Sequence, residues 1–134
     1  MIKYVIRAKK NPIAKIVKYY PQIAPTTPVT LAQIVKRIEK RSTVSSADVK
    51  AVLDALQYEV IEALQSGNSV RLGDLGSFRL SIKANGSTTS DEARRTGANA
   101  IKAVNVQFTK STAMRDALSP SGVEFALQED ISND

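Results

Sequence analysis

Cysteine, histidine and tryptophan are absent from all 134 residues of the chain. The missing cysteines exclude disulfide bonds and thiol nucleophiles, and the missing histidines exclude imidazole metal ligands and a Ser-His-Asp triad. No apolar run approaches the roughly 18 residues that a membrane span requires. These absences predict a cytoplasmic protein that is not an enzyme, binds no cofactor or metal and has no membrane segment.

Charge is unevenly distributed along this basic chain, which has a net charge of +6. Residues 1–20 hold six basic side chains and no acidic one, and residues 69–118 hold eight basic and four acidic. The intervening residues balance with five of each sign, and residues 119–134 hold four acids and no base. Basic segments beside a neutral one favour an anionic partner such as nucleic acid. The alternative is a surface charge that only promotes solubility.

The stretch Val70–Ile82 has the alternation of a β-hairpin. Apolar residues recur at every second position on both sides of the turn Gly73–Gly76, whose glycines permit a tight reversal. Phe78 lies on the apolar side with Leu80 and Ile82. We therefore expect Phe78 to be a core residue and not to stack on a base.

Two helices are predicted before this hairpin. Thr30 and Gln33 form a capping-box pair, and Ser45 or Ser46 caps the second helix. Gly67 fits the left-handed position that ends that helix. The second helix has more apolar surface than one neighbouring helix covers, which predicts dimerisation.

The first 29 residues predict a leading hairpin. Its strands are Met1–Lys10, where Val5 breaks the alternation, and a shorter strand within Ile16–Tyr20. Three prolines make Pro21–Val29 an extended connector. The two tyrosines of the second strand either stack on bases or pack on the helices, and packing is the favoured alternative.

Beyond Ile82 the apolar alternation stops, and it returns at Val104. The segment between them, Ala84–Ala100, predicts either an arm between two strands or an ordinary surface loop. Ile101 and Ala103 have the opposite phase to the strand that follows, which indicates a bulge or a change of buried face.

The last part of the chain predicts a short third helix and a tail. Ser111 or Thr109 caps the helix, and Ser119-Pro120 ends it. Ser121–Asp134 is acidic and polar, which is typical of an unpaired terminus.

Several short motifs follow one another in a fixed order: Gly67-Asn68-Ser69-Val70 leading into Leu72, then Leu75-Gly76-Ser77-Phe78, Thr96-Gly97, and Asn105-Val106 with Phe108. In order and spacing, the chain over about Thr30–Leu118 resembles the HU and integration host factor family of bacterial architectural DNA-binding proteins. The extended N-terminus looks like the longer HU-related variants of Bacteroidetes-type bacteria.

The resemblance implies an α+β, HU-like fold. It comprises an N-terminal helical hairpin, a three-stranded antiparallel sheet with an extended β-arm, and a short C-terminal helix, with extra N-terminal strands and an intertwined dimer. The expected domains are an N-terminal strand extension at 1–29, an HU-like DNA-binding domain at 30–118 and an acidic C-terminal tail at 119–134. Because the family has Thr-Gly where this chain has Thr96-Gly97, the resemblance favours the arm over the loop.

The implied function is non-specific or weakly specific binding of double-stranded DNA by a nucleoid-associated dimer, formed with itself or with a paralogue. The alternative is an HU-fold assembly module with little DNA binding. The family's arm carries a proline wedge, but this chain has no proline between Pro28 and Pro120, and Arg94 stands in the wedge position. The expected DNA-binding residues are Arg79, Lys83, Arg94, Arg95, Lys102, Lys110 and Arg115.

Overall fold

The structure, a computed structural model, describes residues 1–128. Its internal contacts divide the chain into two units. The terminal unit contains Met1–Val29 together with the residues from Asp116 onward, and the central unit is Thr30–Arg115. Each unit is built around its own three-stranded sheet.

The terminal unit is built on β1 (Ile2–Lys10), β2 (Val17–Ile23) and β6 (Phe125–Leu127), in the order β2-β1-β6. β1 and β2 form the predicted leading hairpin. The predicted connector is wrong at its start, because β2 continues through Pro21 to Ile23. β2 is an edge strand, and an edge position tolerates a proline that cannot donate a ladder hydrogen bond.

The unpaired terminus predicted for Ser121–Asp134 is also wrong in its first part. β6 pairs in parallel with the start of β1, and the Ile2 N–H donates to the Glu124 carbonyl at 2.7 Å. A three-residue strand has almost no local signal, since its hydrogen bonds all go to a distant segment. The acids Glu129, Asp130 and Asp134, which give the predicted tail much of its charge, lie outside the described residues.

One residue of β1 is fully buried, and it is the one that breaks the strand's alternation. Val5 is 3% exposed, and Ala24, just after β2, is 2% exposed. The opposite face of β1 carries Ile6, which is 48% exposed. The small core of the terminal unit therefore lies on the face that also carries basic side chains, and the more apolar face is open.

The central unit begins with a helical hairpin, α1 (Leu31–Arg41) and α2 (Ser46–Gln65). The predicted capping box is present: the Thr30 N–H donates to Gln33 Oε1 at 3.0 Å, and the Gln33 N–H donates to Thr30 Oγ1 at 3.3 Å. Ser45 caps α2 by accepting a hydrogen bond from the Asp48 N–H. Gly67 has φ 83°, as predicted for the residue that ends α2.

Within one chain the helices bury few side chains. Only Val35 of α1 and Val49 and Leu64 of α2 are buried among the described residues of the two helices. Val52 and Ile61 of α2 are 65% and 59% exposed. α2 thus has apolar surface that α1 leaves uncovered, as its sequence indicates.

The central sheet consists of β3 (Val70–Arg71), β4 (Gly76–Ala84) and β5 (Ile101–Lys110), antiparallel and in that order. Side chains of directly paired residues share a face, so the register defines two faces. The phenylalanine face consists of Val70, Phe78, Leu80, Ile82, Val104, Val106 and Phe108. The polar face consists of Arg71, Ser77, Arg79, Ser81, Lys83, Asn105, Gln107 and Thr109.

The predicted bulge lies near the end of the β4–β5 ladder. Lys83 pairs with Ala103, but the next residue, Ala84, pairs with Ile101. Lys102 is therefore an extra residue on β5. This accounts for the opposite phase of Ile101 in the sequence.

The segment between β4 and β5 is neither an extended β-arm nor an irregular loop. It folds as α3 (Ser90–Thr96) followed by a 3₁₀ turn at Gly97–Ala100. Thr89 Oγ1 accepts a hydrogen bond from the Glu92 N–H at 3.1 Å and so caps α3. Acidic side chains in the first turn and basic ones in the last turn complement the helix dipole. These local terms favour a helix over an arm.

The last helix, α4 (Thr112–Ala117), begins at the predicted cap Ser111 and not at Thr109. Ser111 Oγ accepts a hydrogen bond from the Met114 N–H at 3.0 Å. The same hydroxyl donates to the Asp74 carbonyl. The start of α4 is thereby held against the β3–β4 turn.

Candidate nucleic-acid interface

The polar face of the central sheet presents three long basic side chains. Arg71 pairs across the ladder with Ser77, while Arg79 pairs with Gln107 and Lys83 with Ala103. Since these pairs all lie on one side of the pleat, the three cations share a face. All three basic residues are exposed.

The rest of this face is neutral and forms hydrogen bonds within itself. Gln107 Nε2 donates to Ser81 Oγ at 3.3 Å, across β4 and β5. None of the residues of β3, β4 and β5 is a carboxylate. The strands thus supply cations without intervening anions, an arrangement that favours the binding of phosphate groups.

Arg71 is the residue that sequence reasoning missed. On the short strand β3, Arg71 pairs with Ser77. It therefore lies on the polar face, diagonally across from Arg79 on β4. The signal was available, because Arg71 alternates with Val70 and Leu72 in the same hairpin.

Two of the expected residues on β5 do not lie on the polar face by register. Lys102 occupies the bulge and has no direct partner on β4. Lys110 pairs with Gly76, which places it on the side of the sheet that carries Phe78 and Phe108. Lys110 is at the very end of this strand, where a long side chain extends past the edge of the ladder.

Arg94 and Arg95 lie in the last turn of α3, next to acids of the same helix. Arg94 Nη1 is 3.4 Å from Asp91 Oδ1, and both side chains are largely exposed. Exposed pairs of this type are weak, typically below about 1 kcal/mol, so a phosphate can compete for the guanidinium. Glu92 is engaged differently, accepting a hydrogen bond from Thr88 Oγ1 at 2.9 Å.

Arg115 lies on α4, one turn after the Ser111 cap, and its backbone N–H donates to the Ser111 carbonyl at 2.9 Å. Since Ser111 is bonded to the β3–β4 turn, Arg115 is positioned relative to the central sheet. The structure thus brings Arg79 and Lys83 together on one face. Lys102 lies at the bulge, Lys110 on the opposite side of the sheet, and Arg94, Arg95 and Arg115 on the helices α3 and α4.

The basic residues of the helices have a different setting. Lys50 Nζ is 3.2 Å from Asp54 Oδ2, the partner expected from their spacing of four residues. Lys36 and Arg37 lie on α1 with Glu39, whose carboxylate accepts a hydrogen bond from Ser46 Oγ. On these helices, basic side chains lie beside acidic ones, unlike on the polar face of the central sheet.

Within residues 1–128 no group of three or more acidic side chains is arranged to hold a metal ion. In the same part of the chain, every helix is too short or too polar to cross a bilayer.

A family model described as an HU domain fused to a wHTH, Ig or glycine-rich motif, HU-HIG, matches residues 1–125. A search of curated proteins found no match.

Among solved structures, a protein of Bacteroides vulgatus ATCC 8482 with a provisionally assigned DNA-binding role has a TM-score of 0.66 at 18% identity. The match covers 94% of this chain and 47% of that one, so the chain spans about half the length of the Bacteroides protein. HU from Anabaena, in a cocrystal with DNA, has a TM-score of 0.53 at 22% identity, covering 69% of this chain and 99% of that one. At 18% and 22% identity, both comparisons show a shared fold and nothing more.

Proposed function

The chain belongs to the HU-HIG family, and from this premise we propose that it binds double-stranded DNA as an architectural, nucleoid-associated dimer. The observation that carries the proposal is the polar face, where Arg71, Arg79 and Lys83 lie together without a carboxylate on the strands. The Anabaena HU protein, whose fold is similar, is described in complex with DNA. The HU-like domain at 30–118 would hold this interface, with 1–29 and 119–134 as additions to it.

The mechanism follows from the chemistry of the face. Arginine and lysine side chains donate to phosphate oxygens and release condensed counterions, which provides affinity with little dependence on base sequence. Serine, asparagine and glutamine side chains on the same face add uncharged hydrogen bonds to the sugar-phosphate backbone of the DNA. A face that reaches phosphates and not base edges therefore favours non-specific or weakly specific binding.

We expect Arg79→Ala/Lys83→Ala to flatten the plot of log K against log salt. Each lost phosphate contact lowers the slope by about 0.9, and a dimer loses each contact twice. A gel-shift titration of a random-sequence duplex over a range of salt concentrations measures the slope.

The charge-matched control is Lys36→Ala/Arg37→Ala on α1, which should leave the slope near that of the parent. Arg94→Ala/Arg95→Ala tests the contribution of α3 separately. If the α1 pair flattens the slope and the sheet pair does not, DNA does not bind at the polar face.

The exposed apolar surface of α2 supports the dimer. We expect Val52→Lys to convert the protein to a monomer in sedimentation, because a charge at this position would be buried between subunits. In a lone chain Val52 is 65% exposed and the substitution would be harmless. Gln57→Lys, at an exposed polar position of the same helix, is the control. A parent that sediments as a folded monomer at micromolar concentration would contradict the dimer.

A second candidate, an assembly module with little DNA binding, is favoured by the open face of the terminal sheet. Ile23, Phe125 and Leu127 lie there and are 72%, 52% and 57% exposed. Apolar side chains grouped in this way are typical of a surface that contacts protein. If the parent chain binds no random duplex at low salt, this second function replaces the first.

A further inference from the structure

The free end of the β1–β2 hairpin, residues 9–18, concentrates basic charge away from the central sheet's sequence. It contains Lys9, Lys10, Lys15 and Lys18, all of them exposed. The first acid of the whole chain is Glu39. Within residues 1–128, none of the four lysines has a carboxylate in ion-pair distance.

The register makes this concentration unfavourable for the hairpin itself. Lys9 is directly opposite Lys18, and like charges in that position destabilise an antiparallel pair. The backbone of the turn that joins β1 and β2 is a second unfavourable feature. Lys15 has φ 54°, and it is the one residue other than glycine with a positive φ in the described part of the chain.

The turn is nevertheless well defined. The Asn11 side-chain oxygen accepts hydrogen bonds from the N–H groups of Ile13 and Ala14, at 2.9 and 3.3 Å. The Asn11 N–H donates to the Ile16 carbonyl at 3.0 Å, which closes the loop. These hydrogen bonds define the backbone path of the turn.

An apolar side chain occupies the outermost position of this turn. Ile13 is 93% exposed, and Ile16 is 54% exposed. Beside them lies an open cleft of about 790 Å³ whose lining includes Lys9, Lys10, Lys18 and Tyr20. The tip of the hairpin therefore combines an exposed isoleucine with exposed lysines.

We propose that the free end of the β1–β2 hairpin is a second DNA-contact site, distinct from the polar face of the central sheet. Its lysines bind phosphates on the two sides of a groove, and Ile13 enters the groove as an apolar wedge. Apolar side chains of this kind are inserted between base steps by proteins that bind the minor groove. The inference goes beyond the proposed function, which uses the central unit alone.

The placement of the lysines favours a groove over a flat anionic surface such as a membrane. Lys9 and Lys18 lie on one face of the ribbon, and Lys10, paired with Val17, lies on the other. A ribbon in a groove has a phosphate wall on each side and uses cations on both faces. A ribbon lying on a bilayer uses cations on one side only.

The test of the lysines is Lys9→Ala/Lys18→Ala in the full chain, titrated with salt on a random-sequence duplex. The expected result is a slope reduced by about 0.9 for each lost phosphate contact. Lys36→Ala/Arg37→Ala removes the same net charge and should change nothing. An unchanged slope for the hairpin pair, or an equal change for both pairs, overturns the site.

The test of the wedge is Ile13→Ser beside Ile23→Ser, a matched change at an exposed isoleucine of the same unit. Ile13→Ser should weaken binding about fivefold at every salt concentration without altering the slope, since it removes apolar contact and no charge. Equal affinity of both variants overturns the wedge. Preferential binding of the parent to phosphatidylserine vesicles over duplex, lost in Lys9→Ala/Lys18→Ala, overturns DNA as the ligand.

Failure of this site is distinguishable from failure of the proposed function. If only Arg79→Ala/Lys83→Ala flattens the slope, the central interface stands and the hairpin site falls. If only the hairpin pair flattens it, the hairpin site stands and the central interface falls.

Discussion

Gly76→Ala is expected to destabilise the protein by about 3–5 kcal/mol, because both the backbone and the space at this position require glycine. Gly76 has φ 144°, which side-chain-bearing residues rarely adopt. A Cβ there would lie 2.3 Å from the Thr109 carbonyl oxygen and 2.9 Å from the Phe108 ring. That oxygen belongs to the β4–β5 ladder, so it cannot move away without breaking cross-strand pairing.

Two other glycines separate the backbone cost from the steric cost. Gly73 has φ 56° but open space around it, so Gly73→Ala should cost only about 1 kcal/mol. Gly86 has neither constraint, and Gly86→Ala should be close to neutral. In urea unfolding, the loss of stability should be largest for Gly76→Ala, smaller for Gly73→Ala and smallest for Gly86→Ala. Equal stability of Gly76→Ala and Gly86→Ala would show that β5 does not pack against Gly76 as described.

The elements that the sequence predicts correctly are those fixed by neighbours along the chain. Thr30 with Gln33, and Ser45 before α2, satisfy backbone donors within three residues, so their roles follow from local chemistry. The same is true of Gly67, whose left-handed conformation ends α2. The two faces of the central sheet also follow directly from alternation, because the period of a strand is two.

α3 had a local signal that the family resemblance outweighed. Thr89 as cap, Asp91 and Glu92 in the first turn, and Arg94 and Arg95 in the last turn form the charge pattern of a short helix. The Thr96-Gly97 pair favoured an arm by analogy, whereas in the structure Gly97 ends α3. The Thr-Gly pair at the family's position therefore does not specify an arm in this chain.

β6 illustrates a limit of local sequence patterns, whereas the face of Lys110 follows from one. The pairing of Phe125–Leu127 with β1 joins residues that are distant in the sequence, and no local pattern specifies a partner at that separation. Lys110 is expected among the DNA-binding residues because it lies about one turn before Arg115. Alternation within β5 already gives its face, since Lys110 follows Phe108 by two residues, and its pairing with Gly76 agrees.

Phe78→Ala is expected to cost about 3–5 kcal/mol and to unfold much of the population, while leaving DNA affinity of the folded fraction near that of the parent. The Phe78 ring packs against Phe108 across the ladder, with centroids 5.2 Å apart and planes at 50°. Both rings lie on the phenylalanine face, on the opposite side of the sheet from Arg79. A base that stacked on Phe78 could not also bring its phosphate to the polar face.

The size of this effect depends on what covers the phenylalanine face. In one chain Phe78 is half-buried, and Val106 and Phe108 on the same face are 58% and 50% exposed. A loss of 3–5 kcal/mol therefore needs a second subunit over this face, and the unfolding midpoint of the parent should rise with protein concentration. Phe125→Ala, on β6 of the terminal unit, is the matched control and should cost much less. A Phe78→Ala protein as stable as the parent but defective in DNA binding would reverse the assignment and make Phe78 part of the interface.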